Sequence, residues 1–140
     1  QRMITETGQA IADLIRPGYA TWDVRRFPDD PAAYTLKSQK GAILVKYEGR
    51  VWSDPAGDLP RHVREIRFEL TIVVRNLQRK GAENGAEETL GDVADRLEGA
   101  TLGGFTFFPE QDDFARFEEG TWYYRLLVVG YRTLRLEGLA

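Results

Sequence analysis

His62 is the one histidine in the chain, standing in the charged stretch Pro60-Arg61-His62-Val63-Arg64. Zinc sites and nucleophile relays need several convergent donors, so a lone loop histidine points to neither. There is no cysteine at all. That removes disulfides, thiolate metal sites and cysteine nucleophiles together, and suits a protein that matures in a reducing cytoplasm. The remaining acid–base candidates are adjacent carboxylates: Asp29 with Asp30, Glu87 with Glu88, Asp112 with Asp113, and Glu118 with Glu119. Paired carboxylates are what glycoside hydrolysis requires. Neighbours on a strand or helix point away from each other, however, so these pairs read as solvated loops and helix starts. Glu87 and Glu88 suit a helix N-terminus, where the dipole favours negative charge.

The 14 glycines form neither Gly-x-Gly-x-x-Gly nor Gly-x-x-x-x-Gly-Lys-Ser/Thr, so no phosphate cradle is expected. Phe105, Phe107, Phe108, Phe114 and Phe117 could stack bases, but that use needs a basic groove. Their neighbours are Glu110, Asp112, Asp113, Glu118 and Glu119. These aromatics are therefore expected to pack on their own sheet or on a protein partner. No catalytic residue, cofactor site or metal site is assigned. A small carboxylate hydrolase would need two acidic residues, distant in sequence, to meet in a cleft.

The elements that must position these side chains are legible as periods. In residues 65–77, Ile66, Phe68, Leu70, Ile72 and Val74 alternate with Arg67, Glu69, Thr71 and Arg75, which predicts one long strand with one apolar face. Residues 3–15 predict an amphipathic helix with Ile4, Ile11 and Ile15 near one face, stopped by Pro17 and Gly18. Residues 21–27 predict a first strand ending at Pro28-Asp29-Asp30-Pro31. Residues 42–52 predict a second, interrupted at Gly49 by a bulge or tight turn. The second strand should pair antiparallel with the long third one through a Pro- and Gly-containing connection.

Residues 79–85 read as an exposed loop, and a helix follows from Ala86 with Leu90, Val93, Ala94 and Leu97 as its apolar stripe and Gly99 as its cap. Residues 109–120 read as acidic and irregular. Residues 121–136 predict a terminal strand lying centrally in the sheet, because Leu126, Leu127, Val128 and Val129 are successive. The expected fold is α+β, a mainly antiparallel β-sheet with helices packed on one face, in a single domain over residues 1–140.

Composition agrees with one closed core, at 140 residues, 42% hydrophobic and 11% aromatic. A net charge of −3 without a long basic run gives no electrostatic reason to seek DNA phosphates. No apolar run approaches the roughly 20 residues that span a bilayer, and no charged leader precedes an apolar core, so neither a membrane anchor nor a signal peptide is expected.

The order of elements resembles a family. A leading helix, a strand closed by the Phe27-Pro28-Asp29-Asp30-Pro31 loop, Ala42-Ile43-Leu44-Val45-Lys46-Tyr47-Glu48-Gly49, and a long strand ending Val73-Val74-Arg75-Asn76-Leu77 are similar to the phage Mu-like tail terminator, or tail-completion, proteins of contractile-tailed phages and prophages. The glycine-bearing loop, the helix over residues 87–97 and Gly99-Ala100-Thr101-Leu102-Gly103 continue the resemblance over nearly the whole chain.

The resemblance implies a non-enzymatic virion protein, assembled in the host cytoplasm, that forms a homo-oligomeric ring, usually hexameric. The ring sits at the head-proximal end of the tail, ends tube and sheath polymerisation, and offers a surface to a head–tail connector or neck protein. Genome DNA would pass through its lumen without sequence-specific binding. Another neck or minor tail component of a phage or contractile injection system is the alternative. Candidate interface residues lie in the long polar stretches: Asp54, Arg61 and His62 in residues 53–64, Arg79 and Lys80 in residues 79–85, and Phe114 and Phe117 in residues 109–120.

Overall fold

A computed structural model describes residues 2–28, 40–75 and 82–133. The first helix, α1 (Arg2–Ile15), buries Ile11, Ala12 and Ile15 completely and runs into a 3-10 turn at Arg16–Gly18, where Pro17 withdraws the N–H a further helical turn would need. A short strand β1 (Asp23–Arg26) follows, then β2 (Gly41–Trp52) and β3 (Val63–Arg75). Helix α2 (Ala82–Leu97), a three-residue strand β4 (Ala100–Leu102), β5 (Phe105–Glu118) and β6 (Thr121–Arg132) complete the chain.

All strands join one six-stranded sheet in the order β1-β2-β3-β6-β5-β4. β1 runs parallel to β2, and every other pairing is antiparallel. The fold is thus α+β with a mainly antiparallel sheet, as its periods indicate. β6 lies between β3 and β5, the central position its apolar run requires.

The alternation in β3 translates directly into burial. Ile66, Phe68, Leu70 and Ile72 are at most 1% exposed, whereas Arg67 is exposed and Glu69 and Thr71 are only half-buried. Across the sheet the same row carries Ile43 and Val45 from β2, Tyr124, Leu126 and Val128 from β6, and Phe105 and Phe107 from β5. Both helices cover this face: Ile11 and Ile15 from α1, and Ala86, Val93 and Leu97 from α2, join the same core. Each of the larger aliphatic and phenylalanine side chains among them contributes about 1.5–3 kcal/mol by leaving water.

A polar contact ties the end of α1 to α2, since the Tyr19 hydroxyl donates to Asp92 Oδ2 at 2.5 Å and Arg96 donates to the same oxygen at 2.8 Å. Burial, reinforced by the Asp92 carboxylate, pushes the Tyr19 phenol far above its ordinary range, and the Tyr19 hydrogen bond, with help from Arg96, holds Asp92 below its own.

Several boundaries differ from those read in the sequence. Residues 109–118 are not an irregular loop but the larger part of β5. Their acidic residues hide the strand because, among the described residues, this length of β5 carries no further strand on its outer side and is largely exposed, so β-pattern and burial part company. Pro109 is tolerated for the same reason, since its missing N–H faces an edge.

Helix α2 begins at Ala82, four residues before the expected Ala86, so residues 82–85 are helical, and Glu87 and Glu88 stand on its second turn, where the dipole effect has faded. Arg79, Lys80 and Gly81 lie outside the described residues, as do Asn76 and Leu77 of the expected third strand and residues 134–136 of the expected last one. Val63 and Arg64 belong to β3 rather than to the connection before it. Two glycine expectations hold: Gly49, at φ +143°, sits at a register shift between β2 and β3, and Gly99, at φ +76°, follows the end of α2.

Candidate functional site

Among the described residues, those with acid–base or ligating chemistry do not converge on one centre. His62 is exposed, and its backbone N–H and C=O are engaged by Ser53, whose hydroxyl accepts at 3.0 Å and whose N–H donates at 2.7 Å. Asp112 and Asp113 point to opposite faces of β5, opposite Leu126 and Arg125 respectively. Glu118 ends that strand, and Glu119 sits in the following turn at φ +51°. Asp29 and Asp30 lie outside the described residues. Among the described residues no group of three His, Asp or Glu side chains is placed to hold a metal.

One shallow recess does gather distant carboxylates. On the sheet face that carries no helix, Glu48, Glu69 and Asp113 line a hollow of ≈ 280 Å³ with Arg125. Arg125 clamps Asp113 with two hydrogen bonds of 2.9 and 2.7 Å, while Lys46 Nζ lies 3.0 Å from Glu48 and 3.8 Å from Glu69. Glu48 and Glu69 share the Lys46 ammonium and Asp113 is held by the Arg125 guanidinium, so these carboxylates face cations rather than one another. The recess is a charge ladder across β2, β3, β6 and β5 rather than a hydrolytic pair.

Of the candidate interface residues, Arg79 and Lys80 lie outside the described residues, and the others form two separate groups at opposite ends of the sheet. Asp54, Arg61 and His62 come together in the β2–β3 connection, where Arg61 Nε donates to the Ser53 carbonyl at 2.9 Å and an Ala56–Leu59 bridge closes the tip. Nearby, Trp52 is 42% exposed with the Arg50 guanidinium 5.1 Å from its ring centre, and Leu59 is 71% exposed. At the other end, Phe114 and Phe117 are about half exposed on β5, not on a loop. The strand length separating the two groups is roughly 35 Å at the usual rise per residue.

Phe114 and Phe117 belong to an aromatic cluster built across the β5–β6 hairpin. Phe117 packs on Trp122 with ring centres 4.6 Å apart, and Phe114 lies 6.0 Å from Trp122 and 5.5 Å from Tyr124. The tight Glu119-Gly120 turn produces this meeting by bringing both strands into one register, Phe114 opposite Tyr124 and Phe117 opposite Trp122. Sequence reasoning placed Trp122 and Tyr124 on a strand but did not join them to the two phenylalanines. The signal was present as a Glu-Gly pair flanked by aromatics, which reads as a hairpin once residues 109–118 are taken as extended. Exposed aromatics rimmed by Asp112, Arg116 and Glu118 are the composition of a protein-contact surface.

A second recess, of ≈ 580 Å³, opens between α1 and β2 where β1 stops. Ile4, Gly8, Val45 and Phe68 floor it, and Arg26, Lys46 and Tyr47 flank it.

No curated protein matches the chain. Among solved structures it is similar to a chain described as "Virion of native gene transfer agent (GTA) particle", with 18% identity, coverage of 87% of this chain and 83% of that one, and a TM-score of 0.47. The family model described as "Gp37 protein" matches residues 12–137, from within α1 past the end of β6, and the chain therefore belongs to the Gp37 family.

Proposed function

We propose that this protein is a non-enzymatic structural component of a phage-type virion, acting as a tail terminator: a closed ring at the head-proximal end of a contractile tail. In this reading copies of the chain occupy the terminal surface of tube and sheath, deny it to the next subunit, and present their far side to a neck or connector protein. A heterologous contact that closes by rotation makes such a ring, whereas one that does not close makes a filament. Linked subunits also multiply modest individual contacts into firm capping.

The observation that carries the reading is the placement of two exposed contact groups at opposite ends of one rigid sheet. The β2–β3 tip bears Trp52, Asp54, Leu59 and Arg61, and the β5–β6 hairpin bears Phe114 and Phe117. A terminator needs two such poles, one toward the tail and one toward the head. Membership of the Gp37 family and the order of elements support the same reading.

The test is deletion of the gene in the producing phage or prophage, followed by electron microscopy of the particles. Tails of unregulated length, or finished tails without heads, with tube polymerisation intact, are expected. Tails of normal length joined to heads in the complete absence of the protein would overturn the assignment.

A further inference from the structure

The two outer edges of the sheet are stepped. β1 covers only Ala42–Val45 of β2, so among the described residues β2 carries no strand on that side from Lys46 to Trp52. At the other edge β4 covers only Phe105–Phe107 of β5, leaving residues 108–118, among the described residues, without an outer strand. The two short strands lie at opposite ends: β1 beside the Gly41 end of β2, level with the β5–β6 turn, and β4 at the Phe105 end of β5, level with the β2–β3 tip. One edge projects where the other recedes.

We propose that copies of this chain associate side by side through these edges, β1 of one copy pairing antiparallel with residues 112–116 of β5 on the next, while β4 of that neighbour fills the vacant edge of β2. The inference rests on the ring reading above and names its subunit contact. Strand directions permit it without turning either copy over. β1 runs with β2, and the antiparallel steps β2–β3, β3–β6 and β6–β5 leave β5 opposed to β1.

The register within one sheet determines which residues stand at the same height on the two edges. Following partners across the strands, Asp23 is level with Arg116, Val24 with Phe114, Arg25 with Asp113 and Arg26 with Asp112. If adjacent copies sit at equal height, as cyclic symmetry about one axis requires, every charged residue of β1 meets its opposite charge, and the buried Val24 meets the half-exposed Phe114. Opposite charges and aromatic–β-branched pairs are the favourable cross-strand combinations. The faces agree as well. Val24 and Arg26 lie in rows with Ile72 and Leu70 on the helix-covered face, as Phe114 and Asp112 do, and Asp23 and Arg25 lie on the other face with Arg116 and Asp113.

At the upper step, Ala100 and Thr101 of β4 come level with Arg50 and Val51 of β2. Within one copy, Arg16 Nη2 donates to the Val24 carbonyl at 2.8 Å and caps the β1 edge, so a backbone N–H of the neighbouring strand replaces a side-chain donor. Asp23 with Arg25 and Asp113 with Arg125 are already paired at 3.1 and 2.7 Å, so the interface extends existing exposed pairs into a network rather than creating charges without partners.

The natural sequence contains no cysteine, which makes disulfide trapping unambiguous. Directly opposed residues of an antiparallel pair stand at about 4.5–5.5 Å between Cα atoms, within disulfide range. The full chain carrying both Arg26→Cys and Asp112→Cys, oxidised mildly and run without reductant, should give a ladder of covalent oligomers ending at one closed species. Each single-cysteine chain should stay uncrosslinked, because the contact is heterologous. Independently, Arg26→Asp or Asp112→Arg alone should weaken self-association, read by sedimentation, by about tenfold or more, and the two together should restore it. Rings that form normally while the double-cysteine chain gives no ladder, or while the charge reversals change nothing, would overturn this interface and leave the ring reading standing. A chain that is monomeric both alone and on purified tails would overturn both.

Discussion

Gly130→Ala tests the packing of the sheet on its helices at the point where the steric arithmetic is sharpest. Gly130 lies in the interior of β6, opposite Phe107 on one side and Ile66 on the other. A Cβ at this position would stand 2.6 and 2.7 Å from Phe107 Cε1 and Cζ and 3.0 Å from Phe105 Cβ. The Phe107 ring cannot retreat: it is fully buried and packs toward Phe68 at 6.2 Å between ring centres. Forcing an extra carbon into such a site costs about 1–3 kcal/mol. Replacing glycine also stiffens the unfolded chain, which returns about 0.4–1 kcal/mol. The net expectation is a loss of about 1–2 kcal/mol, or a Tm lowered by roughly 3–10 °C for a chain of this size. Gly91→Ala in α2 is the control of opposite sign. Nothing lies within 4 Å of its Cβ, so the variant should gain about 0.5–1 kcal/mol. Both are read by thermal and urea unfolding followed by circular dichroism. Adding Phe107→Leu to Gly130→Ala should return part of the loss relative to the sum of the single changes, since the clash is with that ring. A Gly130→Ala protein that melts at or above the parent temperature would refute the reasoning.

Leu97→Ala should cost about 2–5 kcal/mol in chemical denaturation, because Leu97 is fully buried in the core that α2 closes; an unchanged unfolding curve would contradict that placement. Tyr19→Phe should change the pH dependence of stability at both extremes. Asp92, held low, contributes stability that is present above the ordinary aspartate range and lost as pH falls through its folded value, and Tyr19, held high, contributes stability that is lost as pH rises through its own. The variant should flatten both limbs of a stability–pH curve, and unaltered limbs would count against the contact. Phe114→Ser with Phe117→Ser should leave the chain folded, since both rings are about half exposed, yet weaken tail capping as measured by tail-length distributions in electron micrographs; capping at full strength would remove these rings from the interface.

The local elements are a property of the sequence alone. The alternation from Ile66 to Val74 demands a strand with one buried face, the stripe Leu90, Val93, Ala94 and Leu97 demands a helix lying on something apolar, and Pro17 and Gly99 end their helices by backbone chemistry that needs no distant partner. Even the central place of β6 follows from an apolar run that no sheet edge tolerates. What the tertiary structure alone decides is everything that depends on which strand lies beside which. Residues 109–118 carry no apolar alternation because they are exposed, and only pairing with β6 makes them a strand. β1 is four residues long and parallel to its partner, a relation its own residues do not encode. The aromatic cluster of Phe114, Phe117, Trp122 and Tyr124, the separation of two contact groups to opposite ends, and the level match of Arg26 with Asp112 all arise from register. Register is a long-range quantity, since a shift of one residue reverses every face, and it is fixed by the packed core rather than by any single segment.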